Sequence, residues 1–229
     1  MEVERLPTGS PPIDQMLNGG LEKGIITNVF GESGSGKTQL CVQAAAETAK
    51  DGGNVIYIDT EKGFSPERFK QIASEEELER LSFKEPIDFS QQKEAIESLE
   101  AKAEEIQPEL IVVDSLVSLY RLKAKGDQVQ EVNQELSRQL SQLSKVARKH
   151  DIPVLVTNQV YTSFDENELE LVGRDVPRYW SKCLLKLSKQ DEGIRKAEIE
   201  KHRSMPEGKN TRFKIVKEGL AQSDKTGFF

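Results

Sequence analysis

Hydrophobic residues along this chain follow two alternating patterns. Short, almost wholly apolar runs predict buried strands at Gly24–Phe30, Asn54–Asp59, Leu110–Asp114 and Pro153–Asn158. Between these runs, good helix formers or apolar residues at three- and four-residue steps predict helices at Gln39–Lys50, Pro66–Ala73, Gln91–Ile106 and Gln128–His150. Strands that alternate with helices indicate an α/β fold with a mainly parallel central sheet flanked by helices.

The segment Gln128–His150 has the clearest helical period. Its apolar positions are Val132, Leu136, Leu140, Leu143 and Ala147. At 3.6 residues per turn, this amphipathic helix makes about six turns. We expect its apolar face to cover the sheet.

The pattern changes near the end of the chain. Three strand-like segments follow one another without intervening helices, at Cys183–Ser188, Lys196–Lys201 and Arg212–Val216. Gly208 and Asn210 suit the turn before the last of them. We interpret the three segments as antiparallel strands that end the parallel pattern.

Length and composition limit the class of protein. The chain has 229 residues, which fits one α/β domain better than two small ones, so we expect a single domain over residues 1–229. No apolar run approaches the ~18 residues of a membrane span, and the N-terminus lacks a signal-peptide layout. Cys41 and Cys183 are too few for a disulfide framework or a cysteine metal site. We expect a cytoplasmic protein with reduced, buried thiols.

Charge is unevenly distributed along the chain. The net charge is −7, yet residues 174–217 contain 13 lysines and arginines against 6 acidic residues. Such a basic segment on an acidic body is typical of a surface that faces nucleic acid or a protein partner. Ordinary lysines on a solvated sheet edge would produce the same count, so charge alone leaves both interpretations open.

The most specific motif is G-x-x-x-x-G-K-[ST], a phosphate-binding loop. It comprises Gly31, Glu32, Ser33, Gly34, Ser35, Gly36, Lys37 and Thr38. It lies between a predicted strand and a predicted helix, which is the context that the chemistry requires. Gly34 and Gly36 let backbone N–H groups converge on phosphate oxygens, and the helix N-terminus adds positive potential. Lys37 is expected to contact the β- and γ-phosphates of ATP, and Thr38 to bind Mg²⁺.

Polar residues follow three other predicted strands. Asp114 ends an apolar strand, Glu61 lies just beyond another, and Asn158 and Gln159 end a third. Ligands of open α/β sheets bind at the carboxyl ends of the strands, so we expect these side chains to converge. Asp114 is the candidate Mg²⁺-side acid, Glu61 the candidate group that orients or deprotonates water, and Gln159 the candidate γ-phosphate sensor.

These motifs resemble the RecA/RadA recombinase ATPase core. The matching segments are Thr8–Ser10, Ile13–Leu17, Gly19–Leu21, Gly31–Cys41, Tyr57–Glu61 and Thr157–Val160. The chain is most similar to the short archaeal RadB group of that family. The resemblance implies a RecA-like ATPase with Asp114 as Walker B acid, Glu61 as general base and Gln159 as the γ-phosphate switch. It also implies that Lys201 and Arg203 contact the nucleotide of a neighbouring subunit, although exposed strand charges explain that pair equally well.

The resemblance also indicates DNA-binding loops after Asp114 and Gln159. The first retains Arg121, Lys123 and Lys125, which are suited to phosphate contacts. The second carries four carboxylates, on Asp165, Glu166, Glu168 and Glu170, which would repel a DNA backbone. Residues 1–7 are too short for the helix-hairpin-helix domain and phenylalanine tether of archaeal strand-exchange recombinases.

Together these features favour an accessory protein of homologous recombination and DNA repair. We expect weak ATPase activity and modest binding to single-stranded or branched DNA. Partners implied by the resemblance are RadA or a Holliday-junction nuclease. The alternative is a KaiC-like regulator whose ATP state controls a protein partner without DNA. A small-molecule kinase has no support, because no lid or second substrate pocket can be identified.

The final segment Gln222–Phe229 resembles a sliding-clamp-binding peptide, Gln-x-x-hydrophobic-x-x-aromatic-aromatic. Lys225 stands where that pattern has an aliphatic residue. The two phenylalanines, Phe228 and Phe229, require an apolar environment, because exposing each ring forgoes roughly 1.5–3 kcal/mol. That environment is the clamp, the protein's own sheet or a neighbouring subunit, and the sequence leaves the three open.

Overall fold

The structure, a computed structural model, describes residues 3–124, 128–162, 169–173 and 175–223. The strands are β1 Arg5–Leu6, β2 Leu21–Glu22, β3 Ile26–Gly31, β4 Asn54–Asp59, β5 Leu81–Lys84, β6 Pro108–Asp114, β7 Val154–Thr162, β8 Leu169–Leu171, β9 Cys183–Lys189, β10 Ile194–His202, β11 Asn210–Val216 and β12 Gly219–Gln222. The helices are α1 Pro11–Met16, α2 Lys37–Lys50, α3 Pro66–Lys70, α4 Glu75–Leu78, α5 Phe89–Glu97, α6 Leu99–Ile106, α7 Ser118–Lys123, α8 Val129–His150 and α9 Asp175–Trp180. Strands and helices alternate as the sequence predicted.

The main sheet has the strand order β12-β11-β10-β9-β3-β7-β6-β4-β5. The pairs from β9 to β5 are parallel, whereas β10, β11 and β12 add on as antiparallel strands. The prediction that antiparallel pairing begins with Cys183–Ser188 was wrong in one respect. That segment, β9, pairs with β3 in parallel and only its other edge is antiparallel. The sequence interpretation also missed the last strand, β12.

Both faces of the sheet are buried, as a parallel sheet requires. In β6, Leu110 and Val112 belong to the core on the α2 side, while Ile111 and Val113 belong to the core on the α8 side. This alternation explains why the strand reads as an unbroken apolar run. Cys41 and Cys183 are buried free thiols, as predicted. Among the described residues, no helix is long and apolar enough to cross a membrane.

Helix α8 confirms the periodicity that predicted it. All five of its predicted apolar positions are buried against the sheet. The predicted helix Gln91–Ile106 was wrong, because the structure has two helices, α5 and α6, that meet at Ser98. The Ser98 hydroxyl donates to the Ala95 carbonyl at 2.8 Å. Such local side-chain bonds compete with helix continuation.

A buried carboxylate shapes the loop that follows β4. Asp59 is 2% exposed and accepts three backbone hydrogen bonds, from the amides of Glu61 at 3.1 Å, Gly63 at 3.1 Å and Phe64 at 2.9 Å. A buried carboxylate is tolerated when several donors satisfy it. Asp59 therefore determines where the loop places Glu61.

Replacing Asp59 with Ala should destabilise the protein by about 2–3 kcal/mol, because three amides lose a charged acceptor. Urea denaturation measures this loss. The matched control is Asp51→Ala in the exposed turn after α2, which should cost less than about 0.5 kcal/mol. A loss below about 1 kcal/mol for Asp59→Ala would show that other contacts hold the loop.

Candidate functional site

The phosphate-binding loop connects β3 to α2 at the carboxyl edge of the sheet. Gly34 and Gly36 have φ angles of 75° and 106°, which side-chain-bearing residues rarely adopt. Gly36 precedes α2, and no side chain of the described residues caps that helix. The first N–H groups of α2 are therefore available to an anion.

Lys37 lies folded over this loop. Its Nζ donates to the carbonyl oxygens of Gly31 at 2.8 Å and Glu32 at 2.9 Å. Burial lowers the pKa of the Lys37 ammonium, and the negative charges of Asp114 and Glu61 oppose that shift. The arrangement keeps a cation at the centre of the loop.

Asp114 lies beneath the loop at the end of β6. It is 5% exposed and accepts hydrogen bonds from the hydroxyl groups of Thr157 and, at 3.4 Å, Tyr57. Burial raises the pKa of Asp114, whereas hydrogen bonds from Thr157 and Thr38 act in the opposite direction. The predicted metal-binding pair, Thr38 and Asp114, is thus brought together.

A chain of side-chain hydrogen bonds joins Glu61 to the ends of β6 and β7. Glu61 Oε1 accepts from Ser115 Oγ at 2.6 Å and from Gln159 Nε2 at 2.8 Å. Gln159 Oε1 accepts in turn from Arg121 Nη1. Because a guanidinium only donates, Arg121 holds the amide with its nitrogen toward Glu61. The predicted general base and the predicted switch are therefore in direct contact.

A single cavity of about 930 Å³ unites these groups. Its lining includes Lys37, Thr38, Glu61, Asp114 and Gln159, all predicted from the sequence. Lining residues that the sequence interpretation missed as site residues include Arg68, Ser115, Thr157 and Arg195. Ser115 and Thr157 stand beside predicted site residues and could have been found by that adjacency. Arg68 and Arg195 depend on tertiary packing.

The geometry fits a nucleoside triphosphate with a divalent cation. Within the loop, the Ser35 hydroxyl is buried and has no hydrogen-bond partner among the residues that the structure describes. An unpaired buried hydroxyl is costly, and an oxygen-rich ligand bound in the loop would satisfy it. Thr38 and Asp114 supply the hard oxygen ligands that Mg²⁺ prefers.

The residues predicted to bind DNA are divided between two environments. Arg121 lines the cavity and bonds to Gln159, whereas Lys123 is exposed at the end of α7. Lys125 lies outside the described residues, as do residues 224–229 of the predicted clamp-binding segment. Gln222, where that segment begins, ends β12. The predicted DNA and clamp contacts thus stay predictions.

The basic pair Lys201 and Arg203 lies near the amino ends of the parallel strands, opposite the carboxyl ends where the cavity opens. Strand β10 runs antiparallel to β9 and places His202 beside Cys183, where β9 begins. Lys201 Nζ donates to the carbonyls of Arg178 at 2.7 Å and Ser181 at 3.1 Å, and Arg203 pairs with the buried Glu22. The pair is therefore remote from the cavity of its own chain, and its predicted role at a neighbour's nucleotide stays a prediction.

Comparison with known proteins shows which family the chain belongs to. A family model described as Rad51 matches residues 1–223. The DNA repair and recombination protein RadB of Methanobrevibacter smithii is 39% identical over 225 residues, covering 94% of this chain and 95% of that protein. RadB of Thermoplasma acidophilum is 40% identical over 220 residues, covering 96% of this chain and 95% of that protein.

A solved structure supports the same assignment. The crystal structure of the RadB recombinase matches with a TM-score of 0.82 at 37% identity, covering 96% of this chain and 100% of that one. The predicted RecA-like α/β fold with C-terminal antiparallel strands is thereby confirmed. This chain belongs to the nucleotide-binding Rad51 family and, within it, to the RadB group of archaeal DNA repair and recombination proteins.

Proposed function

We propose that this protein binds ATP with Mg²⁺, hydrolyses it slowly, and acts as an accessory factor in homologous recombination. The observation that carries the proposal is convergence. The phosphate loop, Asp114 and the Glu61–Gln159 pair line one cavity at the carboxyl edge of the sheet. Each part has a distinct task in phosphoryl transfer to water, and together they meet its requirements for positioning and charge neutralisation.

The phosphate loop holds the triphosphate. Backbone N–H groups of the loop and of the first turn of α2 would donate to phosphate oxygens, and Lys37 would place its charge against the β- and γ-phosphates. Thr38 and Asp114 would hold Mg²⁺, which neutralises phosphate charge when bound. These residues account for nucleotide binding, and hydrolysis is assigned to a second group of residues around Glu61.

Hydrolysis depends on Glu61. One carboxylate oxygen already accepts from Ser115 and Gln159, so these two residues fix the carboxylate and leave the second oxygen to orient a water molecule. Gln159 contacts the proposed general base, Glu61, and also lines the cavity. This position suits a residue that responds to the γ-phosphate. Hydrolysis is slow in this proposal, because the same contacts must rearrange before Gln159 can reach the nucleotide.

The role in DNA repair is that of an accessory protein with a single ATPase domain rather than a strand-exchange enzyme. Lys123 and Lys125 add positive charge to the first predicted DNA-binding loop, and the carboxylates of the second would limit DNA affinity. Recombination or repair proteins such as RadA or a Holliday-junction nuclease, and the sliding clamp through Gln222–Phe229, are the protein partners in this proposal. The cytoplasm is its location.

Lys37→Ala should abolish tight ATP binding and leave the fold intact, since the hydrogen bonds of this side chain to described residues go to its own loop and the side chain lines the cavity. Isothermal titration calorimetry with Mg²⁺-ATP measures the affinity, and circular dichroism checks folding. Lys50→Ala, in the last turn of the same helix, is the matched control and should bind normally. Wild-type ATP affinity in folded Lys37→Ala would refute the assignment of the phosphate loop.

Glu61→Gln should keep ATP bound and slow hydrolysis by about 10²–10⁴-fold, because the amide keeps the shape of the side chain and loses its basicity. Phosphate release under saturating ATP measures the rate. Glu67→Gln, an exposed residue in the first turn of α3, serves as control. Equal turnover in wild type and Glu61→Gln would remove Glu61 from the mechanism.

Single-stranded DNA should bind with an affinity that falls as salt rises. Replacing Lys123 and Lys125 together with Ala should flatten the slope of log K against log salt by roughly 0.7 for each lost phosphate contact. Fluorescence anisotropy across a salt series measures the slope. The control replaces Lys102 and Lys145, which pair with glutamates of α6. An unchanged slope in the first variant would place the DNA site elsewhere.

A further inference from the structure

The hairpin formed by β9 and β10 presents a row of side chains to the phosphate loop. Lys189 and Arg195 are directly opposite each other in this pair, and Arg195 is opposite Phe213 of β11. Residues directly opposite in antiparallel strands project from the same face of the sheet. Phe213 packs in the core on the α2 side. Lys189 and Arg195 therefore share the sheet face on which α2 begins.

Close approaches show that this hairpin lies against the loop. A Cβ atom added to Gly31 would be 2.0 Å from the Leu187 carbonyl oxygen, and one added to Gly34 would be 3.3 Å from Lys189 Cε. The Lys189 backbone amide donates to Glu32 Oε1 at 3.3 Å, and its Nζ lies 3.7 Å from Glu32 Oε2. The hairpin is thus a wall of the nucleotide cavity.

Three arginines of the described residues line the cavity, and two of them already donate hydrogen bonds to several groups or to a site residue. Arg68 donates to the Gln39 and Gln71 side chains and to the carbonyl oxygens of residues 216 and 217. Arg121 holds Gln159. Arg195, by contrast, makes one side-chain hydrogen bond within the described part of the chain, from Nη1 to the Gly193 carbonyl. Of the three, Arg195 is the most available to a ligand.

One donor of the Arg195 guanidinium lacks an acceptor among the described residues. Its Nε is buried and has no hydrogen-bond partner among the described residues. A buried donor without an acceptor is unfavourable, and a guanidinium binds phosphate through two parallel N–H groups. A phosphate group in the cavity would provide the missing acceptor.

We propose that Arg195, assisted by Lys189, binds phosphate oxygens of the nucleotide held in its own chain. The inference rests on the proposed function, since it needs a nucleoside triphosphate in this cavity, and it adds a contact from the antiparallel half of the sheet. Arg195 would face the phosphates from the side opposite Asp114, because β9 and β6 flank β3 and β7 from opposite sides. The polyphosphate would then lie between two oppositely placed sets of ligands.

Calorimetric titration of Arg195→Gln tests the proposal with two probes, Mg²⁺-ATP and Mg²⁺-tripolyphosphate. We expect both affinities to fall about 10- to 100-fold, the loss typical of one hydrogen bond to a charged group. Arg195→Lys keeps the charge without the paired donors and should show a smaller loss. It also preserves the test if Arg195→Gln fails to fold. The matched control is Lys196→Gln, on the next residue and the opposite face of β10, with an expected change below twofold.

The outcomes separate this inference from the proposed function. Wild-type affinities in folded Arg195→Gln and Arg195→Lys would overturn the inference and leave the proposed function standing. A loss confined to ATP, with tripolyphosphate unaffected, would also overturn it by assigning Arg195 to the ribose or base. A wild-type chain that binds neither probe would overturn both the proposed function and this inference.

Discussion

The register of the central parallel strands is the constraint on which the site depends. Strands β3 and β7 pair with Gly31 beside Gln159, and strands β4 and β6 pair with Asp59 beside Asp114. Side chains alternate between the two faces of a sheet, so a slip of one residue would turn each of these groups to the wrong face. The cleft is therefore positioned by backbone hydrogen bonds of the sheet, and its side-chain contacts refine a geometry that already exists.

Two buried carboxylates at this edge show different solutions to the cost of burying charge. Asp59 is satisfied by three amides of one loop and serves the shape of that loop. Among the described residues, Asp114 accepts from the neutral hydroxyl groups of Thr157, Tyr57 and Thr38, and burial raises its pKa. A nearby cation stabilises the charged form of such a carboxylate, and Lys37 provides one of these positive charges. A buried charge that lowers stability without holding the fold together is typical of functional sites.

The sequence predicted much of the fold because local patterns report burial directly. The period of α8, the apolar run of β6 and the glycine spacing of the phosphate loop all depend on neighbours within one segment. The choice of which strands pair, by contrast, depends on residues far apart in the sequence. Nothing local distinguishes a β9 strand that is parallel on one edge and antiparallel on the other, or shows that Arg121 turns toward Gln159. The role of Arg195 likewise depends on register between strands distant from the loop in sequence.

Some cations of the basic segment 174–217 are paired within the fold. Several of its cations pair within the chain: Arg178 with Glu200, Lys189 with Glu32, Lys196 with Glu198, and Arg203 with Glu22. Lys201 donates to two backbone carbonyls, and Arg195 lines the nucleotide cavity. Cations held in these ways contribute less to a DNA-binding surface than an equal number of free side chains would, because salt-dependent affinity follows the number of phosphates neutralised. Part of the positive charge of this segment is thus held by contacts within the antiparallel strands and at the wall of the cavity.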